Sequence, residues 1–275
     1  MKQTDFEYDG RFLSDYGFVV CDFDSKSGIE EVDSGSVITF EKVSKNNGRR
    51  FGLVHTKYEE CMTSTFDICK DPDIYDGPGM EITQDEFRDI ARWLNRKSFH
   101  LFHFVSDGGS VDEIETCYHN ASFNVSKLML DEKLYGIRLM METDAPFGFG
   151  CESVYKWSTN RESEQKTIHD FSDEIGYMYP KLTVKCKKNC DLIIRNDATG
   201  CASVIRNCSA GEVITMSGDT NIITSSLDAH DICNDFNYDF FTISNDIDRT
   251  QNIITVSSPC DIEVRYRPVI KFTYL

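Results

Sequence analysis

Residues able to do chemistry are present, and their spacing limits what that chemistry is. Four of the 11 cysteines, Cys186, Cys190, Cys201 and Cys208, fall close together. Thiolates favour zinc, but none of the gaps is the Cys-x-x-Cys knuckle, and several of these residues flank strand-like runs where a cysteine is a small apolar filler. The filler reading is preferred. His100, His103, Cys117 and His119 lie in neighbouring strand-like runs, yet His100 and His103 have opposite parity. One strand presents them to opposite faces unless a bulge intervenes, so they read as ordinary sheet histidines. Asp71, Asp73 and the Asp76-Gly77 pair imitate the start of a calcium loop. Tyr75 and Ile82 then stand at the fifth and twelfth positions, and the twelfth needs a glutamate. Asp231, Asp235 and Asp239 recur at a spacing of four, one helical face at best, and read as solvated carboxylates with no base beside them. A Gly-x-Ser-x-Gly elbow, a phosphate loop and a dinucleotide fingerprint are all missing. The sequence therefore assigns no catalytic, cofactor-binding or metal-ligating residue, and the expectation is a protein that is not an enzyme.

Composition narrows the class further. With 29 basic against 46 acidic side chains the formal charge is −17, which argues against nucleic-acid binding, since that needs basic patches on phosphate. No apolar run approaches the roughly 18–20 residues of a membrane span. The first residues carry no signal-like apolar run. The expectation is a chain folded in a reducing cytosol, its cysteines held as thiols.

The elements that position these residues read as strands, with one exception. Thr83 and Glu86 have the spacing of a capping box, in which each side chain satisfies the other residue's orphan N–H. Ile82 and Phe87 flank the cap as a hydrophobic staple. Phe87, Ile90, Ala91 and Leu94 follow on one helical face with Trp93 at its edge. Arg92, Arg96 and Lys97 suit the negative end of the dipole. One amphipathic helix is predicted over 84–96. Around it, runs at 6–20, 37–40, 51–58, 62–69, 99–105, 115–125 and 134–142 read as strands. Turns are expected at Asp9-Gly10, 45–50 and Asp107-Gly108-Gly109, and residues 25–35 read as a loop or arm. Pro146, Gly148 and Gly150 end the set, because proline and glycine interrupt a ladder.

Beyond Gly150 the sequence shows no helix. Short β-rich runs separated by polar turns predict a β-sandwich. The expected fold class is mainly β: an N-terminal antiparallel domain with one helix over 1–150, then a galectin-like β-sandwich over 151–275.

The chain resembles the distal tail protein of long-tailed, siphovirus-type phages of Gram-positive bacteria. The likeness begins at Phe6-Glu7-Tyr8-Asp9-Gly10 and Asp15-Tyr16-Gly17-Phe18. It is sharpest in the helix ending Arg92-Trp93-Leu94, at Tyr118-His119-Asn120-Ala121, and from Met140-Met141-Glu142 through Asp144-Ala145-Pro146-Phe147. In the second half, Ile193-Ile194-Arg195-Asn196, Gly211-Glu212-Val213-Ile214 and Asn252-Ile253-Ile254 follow the order of the family's galectin-like sandwich. The stretch 244–251 departs from the family, being longer and more polar than its usual proline–glycine turn. The resemblance implies a homohexameric ring joining the tail tube protein to the tail-associated hub protein, with baseplate or receptor-binding proteins attached. N-terminal domains form the ring and its DNA channel, and the sandwiches project outward. It also implies a place at the virion tail tip, assembly in the host cytoplasm, and no cofactor, membrane or sequence-specific nucleic-acid partner. The competing reading is a carbohydrate-binding β-sandwich module for host-surface attachment. Against it, the second half has only Trp157 as a tryptophan platform and lacks the Trp-Gly-x-Glu run of true galectins.

Overall fold

The computed structural model describes residues 4–23, 38–45, 50–58, 60–105, 116–246, 248 and 251–271. The expected arm at 25–35, the turn tip at 46–49, the Asp107–Gly109 stop and part of the 244–251 loop lie outside them. The chain divides into two compact units, Met1–Gly150 with Ile270–Leu275, and Cys151–Val269.

The first unit contains β1 (Asp5–Tyr8), β2 (Arg11–Phe12), β3 (Phe18–Cys21), β4 (Ile38–Lys45), β5 (Arg50–Tyr58), β6 (Thr63–Lys70), α1 (Gln84–Leu94), β7 (His100–Val105), β8 (His119–Leu130), β9 (Lys133–Thr143) and β10 (Gly148–Phe149). Seven strands form one antiparallel sheet in the order β2-β1-β7-β8-β9-β6-β3. Asp9 (φ 51°) and Gly10 (φ 75°) make the two-residue turn between β1 and β2. Both sit in the left-handed region that such hairpins require. The sheet curls until its ends meet, with Val20 N–H donating to the Thr4 carbonyl at 2.9 Å.

Alternation along these strands sends Phe6, Tyr8, Phe102, Phe123, Ile137 and Leu139 to one face, where all are buried. The helix α1 closes that face. Its capping box forms in both directions, and Ile90, Trp93 and Leu94 are buried. Trp93 lies parallel to Tyr16 at 4.7 Å and to Phe6 at 5.7 Å, while its indole N–H donates to the Tyr8 carbonyl. The helix stops at Leu94, short of the predicted 96. Arg96 leaves the helical path to lie over the Tyr8 ring at 5.0 Å and pair with Asp9 at 2.9 Å. Ahead of the helix, the buried Lys70 ammonium donates to the Gly79 and Glu81 carbonyls and pairs with Glu86 at 2.8 Å. One cation thus ties the proline–glycine loop to the first turn of α1.

The second unit contains β11 (Ser153–Ser158), β12 (Glu164–Ile168), β13 (Gly176–Met178), β14 (Lys181–Cys186), β15 (Cys190–Asn196), β16 (Ala202–Cys208), β17 (Val213–Ser217), β18 (Ile222–Ser225), α2 (Ile232–Asp235), β19 (Ile243–Asn245), β20 (Asn252–Val256) and β21 (Cys260–Tyr266). A five-stranded sheet, β11-β21-β14-β17-β18, faces a four-stranded one, β12-β20-β15-β16. Leu182, Val184, Ile214, Met216, Ile262 and Val264 of the first sheet share one core with Leu192, Ile194, Ile205, Ile254 and Val256 of the second. Such inward alternation from both sheets defines a sandwich. Within it, buried Asn196 donates to Asn252 and to the Thr242 carbonyl, both at 2.8 Å, and Asn252 bonds the Ser244 backbone in both directions. Four-residue α2 corrects the reading of the second half as free of helix; one turn is too short to show a 3.6-residue period.

Candidate assembly surface

The side chains singled out from sequence converge only in part. Cys186, Cys190 and Cys208 come together with Cys260, because β14–β21 pairing sets Cys186 opposite Cys260 and β15–β16 pairing sets Cys190 opposite Cys208. Cys201 lies elsewhere, its thiol donating to the Phe240 carbonyl at 3.3 Å. His100 contacts the Tyr8 ring and Asp9, whereas His103 faces Glu7 and the Tyr118 ring. His119 is buried, and neither ring nitrogen has a hydrogen-bond partner. Burial lowers its pKa to about 4, so the imidazole is neutral. Cys117 and His119 both crowd Gly148, where any Cβ would collide with them. Asp71 closes its own turn, accepting from Asp73 N–H at 2.9 Å. Among the described residues no group of three or more His, Cys, Asp or Glu is placed to hold a metal ion.

The second aspartate group is corrected at Asp235 alone: Asp231 and Asp239 are exposed, accepting from Asn234 and from the Ala202 N–H, whereas Asp235 is half-buried and accepts from Asn207. Asp235 also lies 3.2 Å from His230 Nε2, so a base is present. On its other side His230 meets Glu212 at 2.5 Å. Glu212 is buried and accepts from the Ser209 N–H and the Ser225 hydroxyl. Burial opposes the charge on both groups, but their mutual pairing prevails. It lowers the Glu212 pKa and raises that of His230. Sequence reading missed this cluster, whose one local sign is Glu212 in the turn before β17, next to Gly211. Trp157 is half-buried and packs against the sandwich core.

The most unusual surface is the ribbon β4–β5. These two strands pair with each other as a separate two-stranded sheet. Alternation from the register places Ile38, Phe40, Phe51 and Leu53 on one face and Val43 on the other, with Val54 at the bulge of β5. All six are exposed, from 43% at Ile38 to 67% at Phe51. The ribbon base is fixed in the first unit by Tyr58, whose ring meets Phe147 edge-on at 5.8 Å. An isolated two-stranded ribbon is marginal in water, and among the described residues its outer edges have no further strand partner, a form open to another chain.

The comparisons agree in direction. Residues 1–145 match the model of a phage tail protein N-terminal domain, and residues 147–266 match that of a phage tail C-terminal domain. No curated protein matches the sequence. The fold is similar to the crystal structure of SPP1 Dit (gp 19.1), described as a paradigm of the hub adsorption apparatus in phages infecting Gram-positive bacteria. The TM-score is 0.65 and the identity 12%, over 97% of this chain and 99% of that one. The fold is thus mainly β, an antiparallel domain with one long helix followed by a galectin-like sandwich, and the chain belongs to this family of phage tail proteins.

Proposed function

We propose that the chain is a structural, non-catalytic ring subunit of the distal tail. Six copies join the tail tube to the tail-associated hub around a DNA channel at the tail tip, with baseplate or receptor-binding proteins attached and with assembly in the host cytoplasm. The observation that carries this reading is the β4–β5 ribbon. It exposes Ile38, Phe40, Phe51 and Leu53 together on one face, while the main sheet of the same unit has curled until its ends meet. A strand pair of this kind is suited to a neighbour that covers it. Repeated head to tail around an axis, that contact closes a ring. The formal charge of −17 opposes assembly and discourages DNA from adhering; salt screens the first effect.

Molar mass by light scattering, with particle imaging, tests the reading on full-length protein at low and moderate salt, with and without the hub. Rings of six are expected, strengthened by salt or hub. The double substitution Phe51→Ser with Leu53→Ser should leave monomers whose melting is unchanged. Monomers of the unaltered protein under every condition, hub included, would overturn the ring and return the chain to the carbohydrate-binding reading, which a glycan array then decides.

A further inference from the structure

His119 is a polar side chain for which neither packing nor tail assembly gives a use. It is 2% exposed, and neither Nδ1 nor Nε2 has a hydrogen-bond partner. A buried polar group left unpaired is costly, so its place in the first unit needs a reason. Cys117 lies two residues before it, on the same face of the extended chain, while Tyr118 between them turns to the His103 ring. Tyr118 exchanges both backbone hydrogen bonds with Phe149, at 2.7 and 2.8 Å, and this fixes Gly148 against Cys117 and His119. A Cβ on Gly148 would strike Cys117 Sγ first, then His119 Cε1 at 2.6 Å and Nε2 at 3.1 Å. The sulfur and the nitrogen therefore border one small space that the missing Cβ leaves open. Gly148 is buried and Cys117 half-buried, so the thiol stands on the solvent side of that space.

We propose that Cys117 and His119 bind one soft monovalent metal ion, of the copper(I) class, as a two-coordinate site in the space kept open by Gly148. Softness and charge select the ion. Thiolate sulfur and imidazole nitrogen both suit copper(I). On binding, Cys117 gives its proton to solvent and its sulfur bonds the metal, and the lone pair of the neutral His119 ring forms the second bond. One thiolate and one monovalent ion cancel, so no net charge is left in a buried place. Zinc(II) on the same two donors would retain a positive charge and two unfilled positions of its four. Among the described residues no third His, Cys, Asp or Glu completes such a set. Burial keeps the ring deprotonated at neutral pH, so a metal meets little competition from protons there.

The test adds one equivalent of copper(I), held by a weak chelator without oxygen, to reduced full-length protein. Native mass, copper X-ray absorption and peptide mapping after alkylation are the readouts. One ion per chain is expected, with one sulfur and one nitrogen around it and copper-dependent protection at Cys117. His119→Leu, its folding checked by a cooperative melt, should weaken copper(I) binding by about tenfold or more, since even the residues that support a metal ligand are worth about 10–100-fold. Zinc(II) at the same concentration should leave Cys117 open to alkylation. A sulfur-only environment, protection confined to exposed Cys61, Cys151 and Cys233, unchanged affinity in His119→Leu, or equal binding of zinc(II) would each overturn the site. The absorption measurement needs no variant, so it decides the matter even if His119→Leu fails to fold.

Discussion

His119 and His230 respond to pH in opposite senses, and the reason lies in what surrounds each ring. His119 has neither acid nor water-exposed edge, so folding drives its pKa from an ordinary 6.5 to about 4. The unfolded chain then binds the extra proton. Stability is complete above about pH 6.5 and falls as pH drops through 4, by about 3 kcal/mol once both states are protonated. His119→Leu should remove this loss: in urea denaturation at pH 7.5 and 5, its midpoint relative to the unaltered protein should rise at the lower pH. Parallel loss in both proteins would show that another group controls acid unfolding. His230 has a raised pKa, so its contribution is present below about 6.5 and lost as pH rises through the folded value. Glu212, with a lowered pKa, contributes above its ordinary 4.5 and loses that as pH falls. Their pairing is therefore strongest between those limits. Because Glu212 is buried, His230→Ala leaves a carboxylate without its cation, and a cost of about 3–5 kcal/mol is expected in equilibrium denaturation at pH 6. An effect within ~0.5 kcal/mol would mean the pair is solvated in solution. None of this was legible in the sequence. Glu212 and His230 are brought together by strand pairing and a one-turn helix, and the turn position of Glu212 does not point to its partner. The thiols mislead for the same reason: register, not spacing, replaces Cys201 by Cys260 in the cluster.

Single elements were far more legible. Thr83, Glu86 and the apolar face of α1 carry their meaning within a dozen residues, and the helix begins where they place it. Its end was overrun by two residues because Arg96, a good helix former, is drawn away by Tyr8 and Asp9, which are distant in sequence. Removing the cap with Thr83→Ala should cost ~1 kcal/mol, while Leu94→Ala, at a fully buried position, should cost roughly 2–5 kcal/mol. Denaturation midpoints check both, and equal small effects would deny the packing described for α1. Strand positions were legible from alternation, yet alternation could not reveal the state of β4 and β5. Phe51, Leu53 and Val54 look like any half-buried strand; only the sheet pairing shows that nothing within the described residues covers them.

For the molecule as a whole, the two units have separate cores, with Phe6, Trp93 and Phe102 in one and Val184, Ile194 and Ile254 in the other. A fragment 151–275 expressed alone should give a β-type circular dichroism spectrum and a single cooperative melt, since its core is drawn from its own strands. A disordered fragment would show that the sandwich depends on the first unit. The ribbon has the opposite dependence. Its apolar side chains contribute little to the stability of an isolated subunit, so substitutions there escape any penalty in monomer folding. They are judged by the surface that receives them. Inheritance at Phe40, Phe51 and Leu53 should therefore be coupled to the receiving surface: a change on one side persists when its counterpart changes with it, and exchange of this segment between tails of different lineages should yield well-folded subunits that do not assemble.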